Sequence, residues 1–153
     1  MSYWTYVNGT VRIDSEKKIS DKDFEQIFGK ICIWDSPQEV WDDWENHRED
    51  YLPMGSEGSL IYRPRLMTRI PNSNYPYRYK VKICGNLRSF SNWHIIYNWI
   101  KKCENTLVAM SNSSINRFET QFDITARCDF MGTYKYFHED YGYKEPFFYK
   151  KEK

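Results

Sequence analysis

Two short stretches of the 153-residue chain place an imidazole beside carboxylates, His47 with Glu49 and Asp50, and His138-Glu139-Asp140. Such groups exchange protons near neutral pH, so either stretch is on paper an acid/base pair or half of a metal site. Neither has ligand spacing of the HExxH kind, and triplets of this sort arise by chance, so both histidines read as solvated. His94, inside an aromatic run, reads as a packed or interfacial side chain. Cys32, Cys84, Cys103 and Cys128 contain no CxxC pair, whereas zinc needs thiolates or imidazoles that a turn brings together; reduced, buried thiols are the expectation. Gly55-Ser56-Glu57-Gly58 is not a GxSxG nucleophile elbow and reads as a turn. Neither GxxxxGK[ST] nor GxGxxG occurs, so no phosphate loop is indicated. The expectation is a non-enzyme, with no catalytic residue, metal or cofactor.

Charge is distributed very unevenly. Residues 35–50 hold seven acids (Asp35, Glu39, Asp42, Asp43, Glu45, Glu49 and Asp50) and one base, Arg48. Residues 59–103 hold nine bases and no acid, although the whole chain is only +1. Segregated charge makes local potentials that steer association. Three arrangements would use it. The acidic segment packs on the basic one, with Trp41 and Trp44 filling the gap. Alternatively, Glu39, Trp41, Asp42, Asp43, Trp44, Glu45, Glu49 and Asp50 form an exposed aromatic surface for a basic protein, rings supplying contact energy and charges raising the on-rate. In the third arrangement Arg63, Arg65, Arg78, Lys80 and Lys82, with Trp4 and Tyr6, line a face that binds single-stranded nucleic acid, cations following phosphates and rings stacking on bases. No RNP1-like pattern accompanies them.

The elements that position these groups follow from periodicity. Residues 3–13 favour a strand interrupted near Asn8-Gly9 by a bulge or turn. Ser20 and Asp23 signal an N-cap, and Phe24, Ile27, Phe28 and Ile31 recur with helical spacing. Ser36-Pro37-Gln38-Glu39 reads as a capping box opening a second, acidic helix over about 36–51. Residues 59–66 form a strand, 70–76 a loop, and Tyr77–Ile83 a strand of strict period two, with Arg78, Lys80 and Lys82 on one face. A helix over 90–104 carries Phe90, Trp93, Tyr97, Ile100 and Cys103, widened by Ile95 and Trp99, with Ser89 or Ser91 as its cap. Residues 118–128 alternate again, and one more short strand fits near 133–137. The order specifies an α+β chain, a ferredoxin-like split βαβ sandwich: an antiparallel four-stranded sheet, two crossover helices and an inserted acidic helix. One domain spans 1–130, and 131–153 form an aromatic, Lys-rich C-terminal extension.

Apolar residues at 41% and charged residues at 28% describe a globular chain. Mean hydropathy of -0.80 and uncharged stretches of about a dozen residues, against the ~20 a span needs, exclude membrane helices. The N-terminus lacks the basic and apolar regions of a signal peptide, so a cytoplasmic location is expected. Six Trp, thirteen Tyr and nine Phe exceed what one small core hides, which favours contact surfaces, self-association into a homodimer among them.

The opening Ser2-Tyr-Trp-Thr-Tyr-Val-Asn-Gly-Thr10, the Gly55-Ser-Glu-Gly58 turn before a tyrosine-containing strand, and the Gly85-Asn-Leu-Arg88 passage into a helix resemble a family of small phage and prophage proteins of Gram-positive bacteria. The resemblance is specific over the first dozen residues and topological to about 130; the acidic helix and the C-terminal tail depart from it. It implies no reaction and no site residue. It does imply a setting, the host bacterial cell, in which accessory proteins of this size bind host factors, including nucleic-acid-binding defence proteins, as counter-defence inhibitors of the anti-CRISPR kind do.

Overall fold

Val11 marks the centre of the molecule: it pairs with Val81 on one side and Phe122 on the other, and all three are fully buried. The computed structural model describes residues 3–89, 93–113, 116–140 and 147–151. The central strand β1 (Trp4–Ser15) runs without interruption, flanked by β3 (Tyr77–Arg88) and β4 (Phe118–Cys128). The turn or bulge expected at Asn8-Gly9 does not form, because both neighbours pair straight through it. Glycine is needed at position 9 for another reason. A Cβ there would lie 2.4 Å from the Asp123 carbonyl oxygen and 2.6 Å from the Ile124 Cα, so the residue permits close approach of β4.

The remaining strands are β2 (Ile61–Arg69), β5 (Gly132–Asp140) and β6 (Phe147–Lys151), and the helices are α1 (Asp21–Phe28), α2 (Gln38–Asn46) and α3 (Trp93–Asn112). Among the described residues the sheet has six strands, in the order β2-β3-β1-β4-β5-β6, every neighbouring pair antiparallel. The fold is therefore α+β. The expected four strands are the first four in chain order, and β5 and β6 extend the sheet with residues read from sequence as an appendage. The connections from β1 to β2 and from β3 to β4 each skip one strand.

Odd-numbered residues of β1 face the helices. Val7, Val11 and Ile13 join Tyr79, Val81, Ile83 and Leu87 of β3 and Phe122, Ile124 and Ala126 of β4 in one core, the alternation a half-buried sheet requires. Phe24, Ile27 and Phe28 of α1 close it at one end, behind a Ser20 capping box formed as expected. The Trp99 indole donates to the Phe28 carbonyl at 2.8 Å, tying α3 to the end of α1. The α3 stripe is shifted from the expected one: Ile96, Leu107 and Met110 are buried with Trp93, Ile100 and Cys103, whereas Ile95 is exposed. Phe90 and Ser91 lie outside the described residues, and Ser89, at φ 54, is not helical. Among the described residues no helix is long and apolar enough to cross a membrane.

Candidate functional site

Between α1 and β2 the chain makes a long excursion that contains α2 and adds no strand to the sheet. Lys30 anchors its two ends: its amide donates to the Asp50 carbonyl at 2.8 Å, and its carbonyl accepts from Leu52 N at 3.0 Å. The capping box expected at Ser36 does not form. Pro37 occupies the N-cap of α2 without a side-chain bond, and the Ser36 hydroxyl instead accepts from Ile33 N at 3.0 Å, closing a turn that carries Trp34. Trp34 is 88% exposed. The helix is also shorter than expected, ending at Asn46 and followed by a 3-10 turn, Arg48–Asp50, before Tyr51 extends.

None of the α2 residues is fully buried. Trp41 and Trp44 meet edge to face, centroids 5.7 Å apart, and both are half-buried. With Trp34 and Trp4 they line a groove of about 730 Å³, floored by the Gly55–Ser59 turn. That turn lies along the end of β3: Ser56 N donates to the Arg88 carbonyl at 2.9 Å and Arg88 N to the Glu57 carbonyl at 3.0 Å. Gly58 has φ +79, and a Cβ there would meet the Asn86 carbonyl at 1.9 Å, so only glycine lets the turn sit so close. The Ser56 hydroxyl donates to the Arg88 carbonyl at 3.3 Å, as a turn residue can.

The expected acidic set divides. Asp43 faces inward, accepting from the Tyr51 hydroxyl at 2.6 Å and pairing with Lys30 at 3.3 Å and His47 at 3.2 Å. The Tyr51 bond, with help from Lys30, holds its carboxyl below the usual range, while burial and the neighbouring carboxylate push the Tyr51 phenol well up. Asp43 therefore fastens the helix rather than presenting a free charge. Glu39, Asp42 and Glu45 are exposed, and Glu45, one turn after Trp41, flanks the indoles. Glu49 and Asp50 belong to the 3-10 turn and face a second depression shared with Lys102 and the end of α1. Arg48, the lone base of the segment, lies over the Trp44 ring at 4.3 Å.

The acidic helix does not neutralise the basic strands, although Lys102 of α3 donates to the Glu49 carbonyl. Among the described residues no ion pair joins the carboxylates of α2 to the cations of β2 and β3. Arg78 instead grips Asp14 of β1 through two bonds, 2.8 and 3.1 Å. Arg63, Arg65, Lys80 and Lys82 are exposed on the sheet face away from the helices, Arg63 opposite Lys82 and Arg65 opposite Lys80. Trp4 and Tyr6 share that face but stand opposite Arg88 and Asn86, at its far end. Lys80 is opposite Arg12, so Trp4 and Lys80 are separated by eight residues of strand, ~26 Å. The Tyr6 ring is covered by the Arg127 guanidinium at 4.6 Å, and Trp4 lines the groove. Rings and cations expected to act together are thus divided between two sites.

His138 is not solvated. With Tyr136 it donates to Glu104, a carboxylate of α3 that is 7% exposed and also 3.5 Å from Lys101. Tyr136 is fully buried, its phenol pushed up by burial and by Glu104. The group cross-links α3 to β5. Sequence alone misses it because Glu104 lies 34 residues from His138. Cys32, Cys103 and Cys128 are buried and their thiols pushed up by burial, whereas Cys84 is half-buried. Among the described residues no three His, Cys, Asp or Glu side chains cluster as a metal site would require.

No family model, curated protein or solved structure matches the chain. The two surfaces themselves are the guide to function.

Proposed function

We propose that the chain is a non-catalytic binding module whose working surface is the tryptophan groove, and that its partner is a protein presenting a basic segment. The observation that carries this is the exposure of Trp34 beside Trp41 and Trp44, with Glu45 and Asp42 on the adjoining helix face. Apolar rings left in water at a concave site mark contact surfaces, and indoles are the best cation-π acceptors among side chains. Arg48 on Trp44 is an internal example of the contact a partner's arginine or lysine would make. Carboxylates around the rings favour a cationic partner over a nucleic acid or an anionic ligand.

The sheet order agrees with assigning the first four strands to a ferredoxin-like core, with the segment from Lys30 to Ser59 as its insertion. The resemblance to small phage proteins supplies a setting: a counter-defence inhibitor in the host cytoplasm that occupies the basic, nucleic-acid-binding surface of a host factor.

Titration of the intrinsic tryptophan fluorescence with an arginine-rich peptide tests the groove directly, against an acidic peptide of equal length. Trp34→Ala is expected to weaken binding roughly 30-fold, the loss of about 2 kcal/mol usual for an interface anchor. The double reversal Asp42→Lys/Glu45→Lys is expected to abolish binding while the circular-dichroism melt stays in place. Equal affinity for the acidic peptide, or unaltered binding by both variants, overturns the reading.

A further inference from the structure

Like charges set directly opposite one another on a sheet are destabilising, and strands ordinarily avoid them. The β2–β3 pair carries two such pairings in succession, Arg63 with Lys82 and Arg65 with Lys80. All four side chains are exposed, and among the described residues none has an ion pair. The register makes them a square, ~5 Å between strands and ~7 Å along each strand. We propose that this square is a binding site for single-stranded nucleic acid, with successive phosphates of one extended strand over Arg63, Arg65, Lys80 and Lys82. The site is separate from the tryptophan groove and does not depend on it.

Three features select that ligand. The four cations recur every second residue, a spacing along β2 and β3 that an extended phosphodiester backbone can follow. Beside it on the same face, Asn8 and Thr10 of β1 and Asn86 of β3 present neutral groups that donate and accept, as base edges require. An acidic protein would need no such lane. Finally, the far half of the face carries Glu119 on β4 and Glu139 on β5, with Asp123 there paired to Lys135 at 3.7 Å. Carboxylates in that position repel a second phosphate backbone, which favours one strand over a duplex.

Fluorescence anisotropy with labelled oligo-dT and oligo-U tests the site and compares the two backbones. Four phosphate contacts predict a slope of log K against log salt of about -3. Lys80→Gln/Lys82→Gln is expected to weaken binding at least tenfold at low salt and to flatten the slope by roughly 1.4. Arg63→Gln/Arg65→Gln, on the edge strand, is expected to do the same and covers the case in which the first variant does not fold. Trp34→Ala is expected to leave oligonucleotide binding unchanged, so failure here is distinct from failure of the groove. The proposal is overturned if the folded wild-type protein gives no anisotropy change at low salt. It is also overturned if the folded glutamine variants bind as well as wild type, or if a duplex or heparin of equal charge binds as tightly as the single strand.

Discussion

The tryptophan groove and the cation square carry opposite charge, but they differ more in how their backbones are held. Lys80 and Lys82 lie on β3, which pairs on both sides, and Arg63 and Arg65 on the edge strand β2, which pairs with β3 alone, over a core in which Val81 and Ile83 are fully buried. The groove is built mainly on an excursion with no fully buried residue in its helix, closed by the backbone pairing at Lys30 and the Tyr51–Asp43 bond. Repulsion among four cations is borne by the cooperative stability of the sheet. A loosely attached wall of indoles has no such reserve, and its geometry depends on a few polar bonds that can be removed one at a time.

The most severe way to break that contrast is to open the sheet. Gly9→Val places atoms where Asp123 and Ile124 backbone already lie, 2.4 and 2.6 Å from the new Cβ. The strands can relieve this only by parting, at an expected cost above about 4 kcal/mol. A single loss of far-ultraviolet signal, with both binding activities gone together, is expected. Persistence of peptide binding after collapse of the sheet would make the groove an independent unit and end the comparison as drawn.

Tyr51→Phe acts on the other side alone. It removes the largest influence on Asp43, so the melt is expected to stay within about 2 °C while tryptophan emission shifts to the red and peptide affinity falls several-fold. The same pair sets a pH dependence. Because the folded carboxyl titrates below its ordinary value of 3.8, its contribution is full above about pH 4 and fades as pH falls through the folded value. Emission from the wild-type groove is therefore expected to change only under stronger acid than pH 4. In the variant that change moves up toward the ordinary carboxylate range. A groove signal that changes at the same pH in the variant and the wild type would show that the Tyr51–Asp43 bond does not fasten the groove.

Legibility in the sequence followed the same division. Strict alternation from Tyr77 to Ile83 announced β3 and the outward side of Lys80 and Lys82, because a sheet with one buried face leaves that signature. The register that puts Arg63 opposite Lys82 was not readable, since it depends on how β2 meets β3 across a loop. Ser36 resembled a cap by spacing, yet its hydroxyl is engaged by Ile33 N, a competition between turn and helix that a motif cannot decide. Trp34 escaped notice because it belongs to no periodic element. The available signal was its place in Cys32-Ile-Trp34, an apolar stretch between the helical recurrence that ends at Ile31 and the expected cap at Ser36. The Glu104 cluster joins α3 to β5 through contacts made only in three dimensions.

The smallest expected effect sharpens the comparison most. Asp14 is 6% exposed on the open face, where it takes two bonds from Arg78 and lies 3.7 Å from Arg12. Arg78 stands two residues before Lys80 on the same face, so Asp14 withholds one cation that would otherwise lengthen the square. Asp14→Asn keeps the shape, removes the negative charge, and is expected to tighten oligo-dT binding about two- to three-fold, with the salt slope steeper by at most ~0.7, one phosphate contact. Some stability is lost with the ion pair, and the melt measures it separately. If affinity falls although the variant is folded, the Asp14–Arg78 pair must hold β3 in the register that sets the four charges opposite one another. The square would then owe its geometry to a polar bond, as the groove does, and the distinction between a surface held by its sheet and a surface held by single contacts would disappear.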